Sequence, residues 1–366
     1  MEQIGLAIIG STGAIGDRHI EAISQLTTCR LVGLNARKQG PLKEQAARLN
    51  VKAYPALSDA LNDSDVDAVV IATPHPSHKE LTIESLESGK HVLVEKPIGV
   101  TPSEADEMVA AARKYNLKLS VLFNNRFRSE SIKMKELVDS GCIGEIYRAT
   151  VSSGMFRTQD YYNQLPWRGT WGLEGGGALL NQGIHAIDLF ISLLGLPHAV
   201  FGQIRTLKHS IEVEDYASAL LEYNDGFLAT LHCDTVQAPQ RQRMEIYGNQ
   251  GAIIMDDWNL SLHTLKTPLQ DFMDNAPGMF ASPEVDEEKF IMGEIKNTHA
   301  PAIDDFCRAI IENRDPMITG EEGAKAQELV AAIILSGCTG NRISLPVNRN
   351  AYDDLLANLT KSGRLP

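Results

Sequence analysis

The sequence predicts an α/β domain with a parallel sheet at the N-terminus, followed by an α+β domain whose sheet is mainly antiparallel. Strand-like and helix-like segments alternate through residues 1–123, which is typical of βαβ units. A glycine-rich turn, Gly10–Gly16, separates the first strand from the first helix. From Asn124 onward strand-like segments dominate, and Asp225-Gly226 marks a hairpin between two of them. We therefore expect one domain boundary, between residues 1–123 and residues 124–366.

The first domain consists of short apolar runs that alternate with amphipathic segments. Runs bounded by Gly, Pro and Asn are typical of buried parallel strands, and these are Leu6–Ile9, Arg30–Leu34, Ala68–Ala72, His91–Val94 and Lys118–Phe123. The predicted helices are Asp17–Leu26, Leu42–Leu49, Lys79–Ser88 and Ser103–Tyr115.

The second domain begins with a predicted helix near Ser131–Asp139. Its predicted strands are Ile146–Ser152, Ala199–Thr206, Tyr216–Tyr223, Gly226–Asp234 and Arg243–Tyr247. The polar, Pro-containing stretch Leu265–Glu294 has weak periodicity and predicts a long loop. Two helices, Ala302–Glu312 and Glu322–Cys338, are expected to close the chain.

Composition excludes several classes of protein. The formal net charge of −13 argues against a nucleic-acid partner, because such proteins concentrate positive charge. No run approaches the ~18 consecutive apolar residues of a membrane helix, and Met1-Glu2-Gln3 lacks the basic start of a signal peptide. We therefore expect a cytoplasmic protein without a membrane partner. The five cysteines never form a CxxC pair, which favours reduced thiols over disulfides or a zinc site.

The turn after the first strand carries the first functional signal. A glycine-rich loop that opens a helix presents free backbone N–H groups and the positive end of the helix dipole, which suits a pyrophosphate. We therefore predict that a dinucleotide binds at Gly10, Ser11, Thr12, Gly13, Ala14 and Ile15. The structural alternative is a tight turn without a ligand, since the spacing is GxxGxxG instead of GxGxxG.

The end of the second strand indicates which dinucleotide is bound. An acidic residue there would accept a hydrogen bond from the ribose 2′-hydroxyl of NAD, but this chain has Asn35-Ala36-Arg37-Lys38. No carboxylate repels a 2′-phosphate, and Arg37 and Lys38 could pair with it. The sequence therefore modestly favours NADP(H) over NAD within the NAD(P) class. The alternative is that Arg37 and Lys38 are solvated loop charges.

Further candidates follow the other strands of the predicted parallel sheet, at the edge where α/β proteins bind ligands. The expected cofactor contacts are Thr73, Pro74, His75, His78, Glu95, Lys96 and Asn124. Pro97 restricts the turn after Lys96, whose ammonium group could stabilise a developing alkoxide. His75 and His78 form an HxxH pair without further ligands, so we expect no metal site.

A second glycine run, Gly175–Gly177, precedes a predicted helix that contains Asn181, His185 and Asp188. A spacing of four and three residues places these side chains on one helical face. His185 is a candidate for proton transfer; the alternative is a core histidine with satisfied hydrogen bonds. Candidates of lower priority for the substrate pocket are Asn125, Arg126, Trp167 and Arg168. Domain packing and a surface ion pair would explain the last two equally well.

Over essentially its whole length the chain resembles the glucose–fructose oxidoreductase / inositol dehydrogenase / MocA (Gfo/Idh/MocA) family of NAD(P)-dependent oxidoreductases. The residues that carry the resemblance are Gly10–Gly16 with His19, Ala72-Thr73-Pro74 with His78, Gly89–Pro97, Gly175–Asp188, Ile303–Phe306 and Thr319–Gly323.

The resemblance implies a Rossmann domain followed by an open-faced, mainly antiparallel sheet. That sheet commonly covers the substrate and builds a homodimer or homotetramer. The resemblance also implies that Lys96 and His185 are catalytic, with His185 exchanging the hydroxyl proton and Lys96 orienting the hydroxyl. Asn181 departs from the family, because many members have Asp at this position. An amide exchanges no proton at neutral pH, so Asn181 is expected only to hydrogen-bond to the substrate.

We therefore expect an enzyme that transfers a hydride between nicotinamide and a secondary alcohol or ketone of a sugar, sugar derivative or cyclitol. Two alternatives stay open. One is an NAD-dependent glycosidase of the same family, which acts by transient oxidation and elimination. The other is a non-catalytic NAD(P)-binding regulator. The missing export signal counts slightly against the glycosidase, and the presence of Lys96 and His185 counts against the regulator.

Overall fold

The structure, a computed structural model, describes residues 3–13, 15–293 and 298–365. The chain forms two compact units, the first from Met1–Phe127 with Ile295–Gln327 and the second from Arg128–Glu294 with Glu328–Pro366. Segment 295–327 therefore belongs to the same unit as the N-terminus, although a single boundary after residue 123 would assign it to the C-terminal domain. That residues 124–366 act as the substrate-binding and oligomerisation domain stays a prediction.

The first unit contains a parallel sheet, as predicted. In its described residues six strands pair in the order β3-β2-β1-β4-β5-β6. Their bounds are β1 (Ile4–Ile9), β2 (Cys29–Asn35), β3 (Lys52–Tyr54), β4 (Ala68–Ile71), β5 (His91–Glu95) and β6 (Leu119–Leu122). All residues of β1 and β4 are buried, which explains why these strands are continuous apolar runs. The strand order reverses between β1 and β4, and ligands of open α/β sheets bind beside such a point.

The second unit contains an open sheet. In the described part of this unit nine strands pair in the order β14-β13-β12-β11-β7-β10-β9-β8-β15. Their bounds are β7 (Ile146–Gly154), β8 (Ala199–Arg205), β9 (Tyr216–Glu222), β10 (Leu228–Asp234), β11 (Arg241–Gly248), β12 (Gly251–Asp256), β13 (Asn259–Leu265), β14 (Val285–Phe290) and β15 (Ile343–Ser344). The pairing of β7 with β10 is parallel and the other pairings are antiparallel. Buried and more exposed residues alternate along β9, so one face is packed and the other is open.

Helices occur in both units. In the described residues they are α1 (Gly16–Ser24), α2 (Gln39–Leu49), α3 (Leu57–Leu61), α4 (His78–Glu87), α5 (Pro102–Tyr115), α6 (Ser129–Asp139), α7 (Gln159–Asn163), α8 (Ile184–Leu194), α9 (Leu269–Asn275), α10 (His299–Ile311), α11 (Gly320–Thr339) and α12 (Arg349–Ser362). The bounds of α5 follow from its sequence. The Thr101 side chain accepts a hydrogen bond from Glu104 N at 3.2 Å, Pro102 starts the helix, and Asn116 ends it with φ +52°.

Two predictions of secondary structure were wrong. The stretch Leu265–Glu294 is not one loop, because its described residues include α9 and β14. Strand β14 is exposed along nearly its whole length and is formed by pairing with β13, so it lacks the apolar alternation that predicts a strand. A further helix, α12, follows the two that were expected to close the chain, and the Asn348 side chain caps it by accepting a hydrogen bond from Ala351 N at 3.0 Å.

The predicted hairpin is confirmed. Strands β9 and β10 are antiparallel neighbours, and Gly226 lies between them with φ +84°, a conformation that favours glycine. Within the described ranges, no helix combines the length and the apolar character that crossing a bilayer requires.

Candidate active site

The glycine-rich loop that starts at Gly10 lies where β1 ends, beside the point at which the strand order of the parallel sheet reverses. Gly10 has φ +92°, and a Cβ there would lie 2.7 Å from Ala72 O, so only glycine fits. The N–H groups of Gly10 and Ser11 donate to Asn35 O at 2.9 and 3.1 Å. Helix α1 starts at Gly16, and its N-cap residue Ile15 provides no side-chain cap. The first N–H groups of α1 therefore have no side-chain acceptor at the cap, which fits the pyrophosphate of a dinucleotide.

The individual residues of this loop differ in exposure. Thr12 and Gly13 are exposed, Ile15 is half-buried and Ser11 is fully buried. The Ser11 N–H already donates to Asn35 O, whereas its buried Oγ has no hydrogen-bond partner within the described residues. Ala14, also predicted to bind the cofactor, lies outside the described residues.

The residues that follow β2 suit the adenosine ribose. Asn35 is held by the bond from its Nδ2 to Tyr54 O at 2.8 Å. Arg37 and Lys38 are both exposed. Neither side chain is paired with a carboxylate in residues 3–13, 15–293 or 298–365, whereas Lys52 nearby on β3 bonds to Asp63 at 2.7 Å. Two unpaired cations at this position are compatible with a 2′-phosphate.

The loop after β4 is tied to the loop after β5 by a histidine. His78 is fully buried, its Nδ1 is 2.8 Å from Pro97 O, and its Nε2 is 2.9 Å from Thr73 O. Ser77 Oγ donates to Thr73 Oγ1 at 2.7 Å. His75 is also buried, with its ring centroid 5.9 Å from that of His78. Because both ring nitrogens of His78 face backbone carbonyls, this side chain contacts the loops and not the space above them.

Lys96 follows β5, and a buried carboxylate precedes it. Glu95 is buried, its Oε1 is 3.0 Å from His19 Nε2, and its Oε2 accepts from Lys96 N at 3.2 Å. Burial alone would raise the pKa of Glu95, but the bond to His19 and the nearby positive groups lower it to about 2. Burial lowers the pKa of His299, which lies 3.8 Å from Glu95, to about 4. Glu95 thus accepts a hydrogen bond from the backbone N–H of Lys96, and its predicted contact with the cofactor stays a prediction.

Polar residues after β6 are held within the first unit. Asn124 Nδ2 donates to Thr298 Oγ1 at 2.6 Å. Arg126 is buried and lies 3.6 Å from Glu322. Asn125 is half-buried. Arg126, predicted to bind the substrate, therefore forms an ion pair within its own unit.

In the second unit the glycine run leads into a widened helical turn. Residues Ala178–Gly183 form a π-helical turn that continues into α8. Gly177 N and Leu179 N donate to the Glu214 carboxylate at 2.9 to 3.0 Å. A Cβ on Gly177 would lie 1.9 Å from Glu214 O, so a larger residue cannot approach this closely. Burial raises the pKa of Glu214 to about 7, although the backbone donors oppose that shift.

The prediction that Asn181, His185 and Asp188 share one regular helix was wrong. Asn181 lies in the π-helical turn, whereas His185 and Asp188 lie in α8. The backbone changes from π-helical to α-helical geometry between Asn181 and His185, so regular helical spacing does not hold across these residues. A carboxylate distant in sequence, Glu214, binds a backbone N–H group at the start of this turn. His185 is half-buried and Asp188 is fully buried. A π-helical turn inside a helix frequently marks a functional site.

Asn181 is oriented by neighbouring polar groups. Its Nδ2 donates to Glu174 Oε1 at 2.5 Å and to Tyr161 Oη at 3.3 Å. Gln182 Nε2 also donates to Tyr161 Oη, at 2.9 Å. Glu174 is buried and accepts a second bond from Gly169 N at 2.5 Å. The Asn181 amide is thus fixed with both N–H groups directed to oxygen atoms.

The Arg168 side chain lies over two aromatic rings. The Arg168 guanidinium lies over the Tyr161 ring at 4.1 Å and 5.5 Å from the Trp167 ring centre, and its Nη1 donates to Tyr161 O at 3.1 Å. Trp171 is fully buried, and its Nε1 donates to Glu212 O at 2.9 Å. Stacking between aromatic rings directs Arg168 without an ion pair to a carboxylate among the described residues.

Comparison with known proteins identifies the two halves of the chain. Residues 4–123 match the family model described as oxidoreductase family, NAD-binding Rossmann fold, and residues 131–254 match the GFO/IDH/MocA C-terminal domain. An uncharacterized oxidoreductase, YhhX of Escherichia coli, is 32% identical over 69% of this chain and 71% of its own length.

The chain belongs to the Gfo/Idh/MocA family.

Other relatives of this Gfo/Idh/MocA protein match over shorter segments. An uncharacterized oxidoreductase of Schizosaccharomyces pombe is 35% identical over 50% of this chain and 48% of its own length. The scyllo-inositol 2-dehydrogenase (NADP(+)) IolW of Bacillus subtilis is 29% identical over 54% of each chain. The match therefore spans about half the length of these two relatives.

A solved structure matches along nearly the whole chain. The WlbA dehydrogenase of Bordetella pertussis, crystallised with NADH and UDP-GlcNAcA, is 28% identical, covers 95% of this chain and 100% of its own, and has a TM-score of 0.80. The present Gfo/Idh/MocA chain is thus an NAD(P)-dependent oxidoreductase with a Rossmann domain.

Sequence reasoning missed several polar groups of the site. Glu174 directly precedes the glycine run, so its position was available as a signal. His19, Tyr161 and Glu214 lie far in sequence from the groups they contact. No local pattern identifies such partners.

Proposed function

We propose that this protein is a dehydrogenase or reductase that interconverts a secondary alcohol and a ketone on a sugar, sugar derivative or cyclitol. The observation that carries the proposal is that the backbone of Lys96 is held in place by a buried carboxylate. The backbone N–H of Lys96 bonds to the buried Glu95 carboxylate. Lys96 follows β5 at the edge of the parallel sheet where the glycine-rich loop after β1 also lies. Parallel strands deliver their following loops to one edge, so Lys96 is suited to act beside a bound nicotinamide.

When bound, NAD(P) would accept or supply the hydride. Lys96 would donate a hydrogen bond to the substrate oxygen and stabilise its negative charge as the hydride leaves the carbon. His185, half-buried at the start of α8, would accept the hydroxyl proton in oxidation and return it in reduction. Asn181 would hold the substrate by hydrogen bonds.

The substrate class rests on chemistry and on relatives. IolW is named for a cyclitol and WlbA was crystallised with a sugar nucleotide. Trp167 offers an aromatic face for the C–H groups of a sugar ring, and Arg168 offers a cation for a carboxylate or phosphate. We propose that both residues contact the substrate.

NADP(H) is the proposed cofactor. Arg37 and Lys38 are exposed and unpaired in the described part of the chain, and the strand end carries Asn35 instead of a carboxylate. A 2′-phosphate would therefore meet two cations and no repelling charge.

A panel of polyols, aldoses, inositols and glycosides, assayed with NAD⁺ and NADP⁺ by the absorbance of the reduced cofactor, tests the proposal. We expect at least one cyclic polyol or sugar to be oxidised. Lys96→Met should lower kcat by about 10²- to 10⁴-fold, since it removes an electrostatic and hydrogen-bonding group from the reacting oxygen. Lys43→Met, at an exposed position on α2, serves as the control and should keep full activity. A Lys96→Met enzyme with normal turnover would refute the role assigned to Lys96.

A further inference from the structure

We propose that His78 is a positioning residue that holds Lys96 in place through the carbonyl of Pro97. The inference rests on the proposed function, because Lys96 is taken as the group that contacts the substrate oxygen. His78 itself would contact neither the substrate nor the cofactor.

The geometry of the turn carries the argument. The imidazole is fully buried, and its Nδ1 lies 2.8 Å from Pro97 O, one residue beyond Lys96. On the other side of Lys96, its own N–H bonds to Glu95 Oε2 at 3.2 Å. The main chain is therefore held by a buried polar group both before and after the lysine. Hydrogen bonds of this kind, from buried polar groups to the main chain, determine whether a functional side chain is held within about 0.5 Å of its working position.

The second ring nitrogen extends this link to a neighbouring loop. His78 Nε2 lies 2.9 Å from Thr73 O, in the loop after β4. Strands β4 and β5 are parallel neighbours, so one imidazole joins the loops that follow both. We expect the contact with Pro97 to matter for Lys96, and the contact with Thr73 to matter for its own loop.

The protonation state of the His78 ring determines how many of the two carbonyl groups it can donate to. A neutral imidazole has one N–H donor, whereas a protonated ring could donate to both carbonyls. The pKa of His78 is lowered, because burial outweighs the two carbonyl contacts and Glu95, which raise it, and Lys96 lowers it further. The neutral ring therefore donates to one carbonyl, and in this proposal it donates from Nδ1 to Pro97 O. His75, the other titratable group on this loop, lies 5.9 Å away ring to ring.

Asparagine and glutamine separate the two contacts. The amide nitrogen of asparagine occupies roughly the place of Nδ1, and that of glutamine roughly the place of Nε2. His78→Asn should therefore keep the bond to Pro97 O, and His78→Gln should keep only the bond to Thr73 O. His78→Leu removes both bonds. A matched control is His91→Leu at the opposite end of β5, where the imidazole Nδ1 accepts from Lys118 N at 2.9 Å.

The test is a set of crystal structures of the full-length variants, with kcat measured on the fastest alcohol of the panel. The position of Lys96 does not depend on activity and is read directly. We expect Lys96 Cα to move by more than about 0.5 Å in His78→Gln and His78→Leu, but not in His78→Asn or His91→Leu. In His78→Gln and His78→Leu, kcat per dinucleotide-binding site should fall by about 10- to 100-fold, with a small change in KM. The reason is that a misplacement of a catalytic group by about 1 Å lowers the rate by this factor.

The outcomes separate this inference from the proposed function. Equal effects of His78→Asn and His78→Gln, or an unmoved Lys96 in His78→Leu, would overturn the positioning role alone. Normal turnover of Lys96→Met would overturn the catalytic role of Lys96, while the crystal structures would still decide whether His78 holds it.

Discussion

At the scale of single residues, the buried charge of Glu95 is stabilised by the His19 side chain. The carboxylate is nearly inaccessible to solvent, and fully buried His19 bonds to it at 3.0 Å. A buried ion that loses its partner costs more than the pair contributes, because the remaining charge has left water without compensation. The local folding of the Lys96 turn therefore depends on His19, a residue in α1.

His19→Leu should destabilise the protein by roughly 3–5 kcal/mol at pH 7, because it removes the imidazole that bonds to the buried Glu95 carboxylate. Urea unfolding followed by circular dichroism measures this change. The control is His263→Leu, since that half-exposed imidazole lies 3.9 Å from Glu287 and should contribute less than about 1 kcal/mol. Equal midpoints for the two variants would contradict the prediction.

Acid should destabilise the wild type through the same carboxylate. The pKa of Glu95 in the folded chain is about 2, below its unfolded value of roughly 4.3. Its contribution is therefore present above the unfolded value and is lost as the pH falls toward 2. The difference in urea midpoint between wild type and Glu95→Gln, measured from pH 6 to pH 3, should shrink; a constant difference would contradict this sign.

Cofactor choice is also expected to depend on a single residue, Arg37. Arg37→Asp should lower kcat/KM with NADP⁺ by more than about tenfold, or 1.4 kcal/mol, because it places a negative charge where we expect the 2′-phosphate. Activity with NAD⁺ should change little. Lys43→Asp, exposed on α2, makes the same charge change at a site without an expected ligand. A wild type that prefers NAD⁺ by more than about tenfold would refute the assignment.

At the scale of elements, the glycine run was predictable but the shape of the helix after it was not. The sequence shows three consecutive glycines and an apolar helix behind them. The helix begins with a π-helical turn, and Glu214 binds Gly177 N and Leu179 N at its start from a distant part of the chain. Helical spacing assumes a regular backbone, so it misplaced Asn181 relative to His185.

Glu214→Gln tests how this turn responds to pH. In the folded chain the pKa of Glu214 is about 7, above its unfolded value of roughly 4.3, so wild-type stability falls as the pH rises between these values. The variant has no such loss. The difference in unfolding free energy between wild type and variant should therefore shift by roughly 3 kcal/mol between pH 4 and pH 8, in favour of the variant at high pH.

Urea titrations at the two pH values provide the measurement. Glu145→Gln, at an exposed position before β7, is the control and should show the same difference at both. A Glu214→Gln difference that does not vary with pH would mean that this carboxylate titrates normally.

At the scale of the whole molecule, five strands of each sheet could be predicted because they carry hydrophobic patterns of their own, whereas β3, β12, β13 and β15 were not predicted. Continuous apolar runs predicted β1 and β4, and the alternation of apolar and polar residues predicted β9 and β10. Strand β14 and the return of segment 295–327 to the first unit could not be predicted. Both depend on pairing and packing with residues far away in sequence.

Self-association should use the open face of the second sheet. Phe201, Leu220 and Leu228 are 42%, 38% and 48% exposed, and Phe201 is the cross-strand partner of Leu220. Apolar side chains grouped on an exposed sheet face favour contact with another protein surface. We expect a homodimer or homotetramer in light scattering, and Leu220→Arg should reduce it to a single chain. Leu207→Arg, 49% exposed outside the strands, should leave the mass unchanged.

The parallel pair at the middle of the second sheet has a consequence for synthesis. Strand β7 has two neighbours, β10 and β11, and both follow residue 227 in the chain. A ribosome therefore completes Gly177 and His185 long before any strand exists that could flank β7. Pairings between such distant segments form slowly. During translation, the π-helical turn and His185 are therefore made before the strands that complete the sheet on either side of β7.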